Sequence, residues 1–131
     1  MDSPIYLLFG LMAAMILFQI FMSRLAKRAV GQPAPDTTTV DGEAHNMRRR
    51  VYYFYATHCG PCRAMTPIVD QMRATHPNLI KINIDDSLEI AQGFRIAGTP
   101  SLVLVEEGLI RQVLLGAQSE NKLKHMLEAT A

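Results

Sequence analysis

Cysteine is scarce in this sequence, net charge is nearly absent, and no internal repeat is present. The 131-residue chain carries two cysteines and a formal charge of +1. Two cysteines cannot build a framework of disulfides in place of a hydrophobic core, so their role is local chemistry. A charge of +1, with no basic stripe interleaved with aromatics, supplies no field to recruit nucleic acid, and none is expected as a partner. The length allows one small domain with an appendage, and excludes two ordinary domains.

Charge is missing most conspicuously at the start. From Ser3 to Ser23 there is no charged residue, and Ile5 to Met22 is almost wholly apolar. That run matches the roughly 20 helical residues needed to cross a bilayer core, so residues 5–22 are expected to contact lipid as a single transmembrane helix. A core helix would show a polar stripe, and this segment is apolar all round. A signal peptide would place positive charge ahead of a shorter apolar run, whereas Asp2 precedes this one and Arg24, Lys27 and Arg28 follow it. Those basic residues, with Arg48, Arg49 and Arg50, are expected to keep the C-terminal side in the cytoplasm; the alternative is a periplasmic or extracytoplasmic domain.

The expected organisation is an anchor with a basic flank over residues 1–29, a linker over 30–50 and a domain over 51–131. Pro33, Pro35, the Thr37-Thr38-Thr39 run and Asp41-Gly42 give the linker a turn and extended-chain composition, with a short edge strand expected near Thr38 to Val40. Val51 to Tyr55 reads as a strand buried on both faces. From Pro61 to Thr75, Met65, Ile68, Val69 and Met72 recur at helical spacing, and His76-Pro77-Asn78 ends the helix. Ile80, Ile82 and Ile84 alternate with polar residues as a second strand, and Ser87 is placed to cap a short helix through Gly93. Ser101 to Val105 and Leu109 to Leu115 form a hairpin around Glu106-Glu107-Gly108, and Ser119 caps a last helix with Leu123, Met126 and Leu127 inward. A β-α-β unit followed by β-β-α implies an α/β fold, a mixed sheet flanked by helices.

The cysteines stand between the first strand and the first domain helix, in Cys59-Gly60-Pro61-Cys62. Unpaired N–H groups and the positive end of the helix dipole favour a thiolate at Cys59, the expected nucleophile. Pro61 suits a first helical turn, and Gly60 allows close approach of a partner's sulfur. Cys59 then attacks a substrate disulfide and Cys62 resolves the mixed disulfide. Half of a zinc site is the competing reading, but His45, His58, His76 and His125 form no second closely spaced pair. A pair of inert buried thiols is the other, and a Gly-Pro insert opening a helix serves burial poorly.

From Val51 to Ala131 the chain resembles thioredoxin. The likeness rests on Cys59-Gly60-Pro61-Cys62 followed by Arg63, the helix proline Pro67, the Lys81-x-Asn83-x-Asp85 strand, Gly98-Thr99-Pro100-Ser101, Gly108 and Gly116. It implies a thioredoxin-like fold, with Pro100 as a cis-proline that, beside Thr99, offers backbone groups to an extended substrate; without the resemblance Pro100 reads as a strand-entry proline. Protein-disulfide reduction, disulfide-containing protein substrates, an upstream thiol reductant and no cofactor beyond the Cys59–Cys62 disulfide are likewise implied. Departures are informative. There is no Trp, and His58 stands where the family has an aromatic residue; as an imidazolium it would favour the Cys59 thiolate. Tyr53 takes the place of the family's buried acid, leaving water or Lys81 to assist Cys62. The segment before Val51 is too short for the family's opening strand and helix, so the domain is expected to be trimmed there; Val30 to Asp36 is similar to the lead-in of tethered thioredoxin-like and peroxiredoxin proteins. A reading of another class is a non-catalytic assembly module at the membrane, holding an extended partner strand around Pro100.

Overall fold

The computed structural model describes residues 3–128; the charge at Asp2 and the expected domain end at Ala131 lie outside them. Helix α1, Ser3–Lys27, is 25 residues long. At 1.5 Å per residue it spans about 37 Å, more than the roughly 30 Å of a hydrocarbon core. None of its apolar stretch is buried. Such a helix can cross a membrane, and a helix near the N-terminus with these properties can also be a signal sequence.

Four strands form the sheet: β1 (Arg49–Tyr55), β2 (Leu79–Asn83), β3 (Ser101–Glu106) and β4 (Leu109–Leu115), in the order β2-β1-β3-β4. β1 runs parallel to β2 and antiparallel to β3, which is antiparallel to β4, so the sheet is mixed as expected. Val51, Tyr52, Tyr53 and Phe54 are all fully buried, because a central strand covered on both faces has no solvent side. Tyr52 and Phe54 join Ile80, Ile82, Phe94 and Val103 on one face. Val51 and Tyr53 join Met65, Val69, Leu102 and Leu123 on the other. Each such side chain contributes roughly 1.5–3 kcal/mol on burial, so these two clusters hold the fold.

Helix α2 is the turn at Thr38–Asp41, continued by a 3-10 turn at Gly42–Asn46. Helix α3, Gly60–Arg73, packs Cys62, Met65, Val69 and Met72 inward, the helical stripe expected from their spacing. Helix α4, Leu88–Gly93, follows Ser87, which takes the N-cap position but makes no side-chain cap bond. Its backbone is used instead, the Ser87 N–H donating to the Asn83 carbonyl and the Ala91 N–H to the Ser87 carbonyl. Helix α5, Glu120–Glu128, is capped as expected: the Lys122 N–H donates to Ser119 Oγ at 3.2 Å. In the hairpin, Glu107 and Gly108 both have positive φ, 54° and 80°, the geometry that lets a two-residue turn follow the strand twist.

Residues 30–50 correct the expectation of a spacer with an edge strand near Thr38 to Val40. Thr38–Asp41 forms α2, not a strand, and Ala29, Thr37, Asp41 and Ala44 are buried. The cause is a tertiary one. The Asp41 carboxylate accepts from Tyr52 Oη, Thr37 Oγ1 and Arg50 Nη1, each at 2.6 Å, and His45 Nδ1 lies 3.3 Å away. This ties the segment to β1 and overrides the extended preference of a threonine run. Just before it, the Gly31 N–H donates to the Ile110 carbonyl at 2.7 Å, the Ile110 N–H to Gln32, and the Ala34 N–H to Gly108. Pro33 bridges Leu109, so the outer edge of β4 is capped. Pro35 then lies against α4, where a Cβ on Gly93 would come within 2.7 Å of the proline ring.

Candidate functional site

Cys59 is the N-cap residue of α3, with extended backbone angles, and the Cys62 N–H donates to its Sγ at 3.3 Å. A donor aimed at that sulfur, at the positive end of the helix, is what lowers the proton affinity of a thiol there. Cys59 and Cys62 are joined in a disulfide with Cα atoms 5.3 Å apart. Cys59 is 8% exposed and Cys62 3%, so the pair is reached from one side. Gly60, Pro61 and His58 are exposed around it, and Pro61 occupies the first turn of α3. A Cβ on Gly60 would meet nothing, so nothing within the chain demands glycine there.

Pro100 is buried and follows Thr99 through a cis peptide bond. Its neighbour Ser101 pairs with Phe54, which puts Pro100 at the C-terminal end of β1, the end from which the cysteine loop departs. The Pro100 carbonyl accepts from the Gly116 N–H at 2.8 Å, and Ser101 Oγ donates to the Gly98 carbonyl at 2.6 Å. The loop before the cysteines is tied to β2 by Asn83 and Asp85: Asn83 Nδ2 donates to Thr57 Oγ1 at 3.3 Å, and the Thr57 N–H points at Asp85 Oδ2 at 3.5 Å.

Beside the pair lies a cavity of about 410 Å³, lined by Tyr55, Thr57, Cys59, Cys62, Arg63 and Thr66 among others. Tyr53 is fully buried below it, its hydroxyl 2.8 Å from Thr66 Oγ1 and 3.4 Å from the Cys62 carbonyl. Burial pushes the Tyr53 phenol above its ordinary value, Asp70 and Tyr55 push the same way, and the Thr66 hydrogen bond opposes them. Its ring stacks on Tyr55, centroids 5.7 Å apart. Lys81 Nζ pairs with Asp70 at 3.0 Å and sits 4.9 Å from the centre of the Tyr55 ring. Thr66 and Thr57 were not legible as site residues in the sequence; the available signal for Thr66 is its spacing of four from Cys62, which places both on one helix face. Among the described residues no group of three His, Cys, Asp or Glu side chains could hold a metal ion.

The family model for thioredoxin matches residues 38–129, reaching back over α2. The thioredoxin of Chlamydia pneumoniae is 31% identical over 80 residues, 60% of this chain and 78% of that protein. The H-type thioredoxin of Fagopyrum esculentum is 32% identical over 72 residues, and the match spans 53% of this chain and 62% of the relative. Among solved structures, a mutant thioredoxin of Halobacterium salinarum superposes with a TM-score of 0.61 at 29% identity, covering 73% of this chain and 85% of that one. The oxidized mitochondrial thioredoxin 3 of Saccharomyces cerevisiae gives 0.52 at 28% identity, over 62% and 77%.

Proposed function

The chain belongs to the thioredoxin family of thiol-disulfide oxidoreductases, and we propose that it is a membrane-tethered protein-disulfide reductase working through Cys59 and Cys62. The observation that carries this reading is the cysteine pair itself, closed as a disulfide at the opening of α3 with a backbone donor on the Cys59 sulfur. Family members act through that pair, with no cofactor.

In the reaction, the Cys59 thiolate attacks one sulfur of a substrate disulfide; a Cys59–substrate S–S bond forms and the first substrate thiolate leaves and takes a proton from water. Cys62, deprotonated, attacks Cys59, the mixed disulfide breaks, and the second substrate thiol is released. The substrate disulfide has gained two electrons, and the dithiol has become the Cys59–Cys62 disulfide. An upstream thiol reductant returns two electrons for the next cycle. Gly60 and Pro61 leave the Cys59 side open to a partner, and the cis Pro100 turns the backbone groups of Thr99 to an extended substrate strand, its own carbonyl being held by the Gly116 N–H. His58, exposed beside Cys59, is placed to aid the thiolate. Residues 5–22 hold the protein in the bilayer with the domain in the cytoplasm.

Cys62→Ser tests the chemistry: incubation of the reduced variant with disulfide-bonded proteins accumulates a mixed disulfide on Cys59, and Cys59→Ser accumulates none. If neither variant is trapped and a Cys59→Ser/Cys62→Ser double variant keeps its cellular role, the chain is a binding module. Topology is read by a membrane-impermeant thiol reagent, which labels reduced Cys59 in inverted vesicles and not in intact cells if the domain is cytoplasmic; the reverse pattern puts it on the outer face.

A further inference from the structure

We propose that Tyr53 and Thr66 act as a hydroxyl pair serving the resolving cysteine: Tyr53 orients Thr66, and Thr66 donates a hydrogen bond toward the Cys62 thiolate, directly or through water, as the thiol loses its proton to solvent in the adjoining cavity. This rests on the reading of Cys62 as the resolving thiol and supplies what that reading lacks, a group to assist its deprotonation.

Either hydroxyl can donate in the Tyr53–Thr66 contact, and we take Tyr53 as the donor. Tyr53 has one hydroxyl proton and two acceptors in reach, Thr66 Oγ1 at 2.8 Å and the Cys62 carbonyl at 3.4 Å. The shorter contact has the better hydrogen-bond length, and the longer is stretched for an O–H···O bond. A phenol held neutral by burial cannot act as a base near neutral pH, but it keeps its proton and donates. With Thr66 Oγ1 accepting from Tyr53, the threonine's own proton is free, and Thr66 lines the same cavity as Cys62, one helical turn away. A donor chain of this kind strengthens along its length, since a hydroxyl that accepts becomes a better donor. When Cys62 gives up its proton to a cavity water, Thr66 stabilises the thiolate directly or through that water; the thiolate then forms the bond to Cys59, and the departing substrate thiolate takes a proton from solvent. Electrons and protons balance with no added reagent.

Other titratable groups around Cys62 are accounted for. From α3 come Arg63, which lines the cavity, and Asp70, which is paired with Lys81 of β2. From β1 come Tyr53 and Tyr55, and from the loop ahead of the cysteines His58. Asp85, beyond β2, is engaged with the Thr57 N–H. Lys81 is committed to Asp70 and the Tyr55 ring, and of the hydroxyls lining the cavity only that of Thr66 stands on the same helix as Cys62 and in contact with Tyr53.

The test is stopped-flow oxidation of the reduced full-length chain, in detergent, by an aromatic disulfide that releases a coloured thiol twice: once when Cys59 attacks and once when Cys62 resolves. Thr66→Val slows the second release about tenfold at neutral pH and moves its pH midpoint up by about one unit, the equivalence of a pKa shift and a tenfold rate. The first release stays within about twofold, because the Cys59 donor is the Cys62 N–H. Thr66→Ser restores the second release, and Tyr53→Phe lies between. A wild-type second release and pH profile in Thr66→Val overturns the proposal, as does a Thr66→Ser variant as slow as Thr66→Val, which would make the residue a packing element. The underlying reading fails by a different result: a second release that persists in Cys62→Ser.

Discussion

Replacing Asp41 with alanine removes the one carboxylate that joins Thr37, His45, Arg50 and Tyr52. Arg50, whose side chain is 11% exposed, then keeps a guanidinium in the protein interior with no counter-charge. Removing one partner of a buried pair costs about 3–5 kcal/mol, mostly from the charge left behind. The two orphaned hydroxyls add little, because Thr37 Oγ1 and Tyr52 Oη lie 3.1 Å apart and can satisfy each other. For a domain of this size that loss lowers the melting temperature by on the order of 20 °C. With no tryptophan in the chain, near-ultraviolet circular dichroism of the buried tyrosines follows the transition in oxidised, detergent-solubilised protein. The companion variant Asp41→Leu/Arg50→Met removes both charges and should fall within about 1 kcal/mol of wild type, since a buried ion pair and an apolar pair of similar volume are often equivalent. A loss below about 1 kcal/mol in Asp41→Ala, or a double variant as unstable as the single, would refute the claim that this cluster fastens residues 37–45 to the sheet.

Gly93→Ala should destabilise by about 1–3 kcal/mol in urea unfolding, the cost of overpacking, because the new methyl meets the Pro35 ring at 2.7 Å; at an open helix site the same change would stabilise. Tyr52 has its phenol pushed up, first by burial and then by its bond to Asp41, so the stability it supplies is complete below the unfolded value near 10 and is lost as pH rises beyond it. Tyr52→Phe should therefore be less stable at neutral pH and show a shallower alkaline loss in melts run between about pH 9 and 12; an unchanged alkaline slope contradicts this. His58→Phe should slow alkylation of reduced Cys59, which the adjacent exposed imidazole otherwise aids; a wild-type rate would make His58 a bystander.

What the sequence disclosed was whatever local periodicity and spacing encode. The strand at Val51 to Tyr55, the stripe on α3 and the hairpin at Glu106-Glu107-Gly108 follow from an unbroken β-branched and aromatic run, helical recurrence and turn chemistry, and all stand within a residue or two of their expected limits. Cys59 and Cys62 were legible because their chemistry lies in their spacing. The Thr37-Thr38-Thr39 stretch was not, because its conformation is set by Tyr52 and Arg50, 11 and 9 positions beyond Asp41, through a carboxylate whose burial no local pattern announces. Thr66 escaped for the same reason: a threonine four residues past a cysteine is unremarked until Tyr53 is seen beneath it.

Between α1 and the segment bound to β4 stand only Arg28, Ala29 and Val30, and these are taken up by tight turns in which Arg28 and Val30 donate to Leu25 and Lys27, with Ala29 in the core. The connection is short as well as folded. Three residues reach at most about 10 Å even when fully extended, so the domain cannot range far from the end of its helix as one on a long flexible leash would. A partner disulfide has to come to the cysteine face within that short radius of the end of α1.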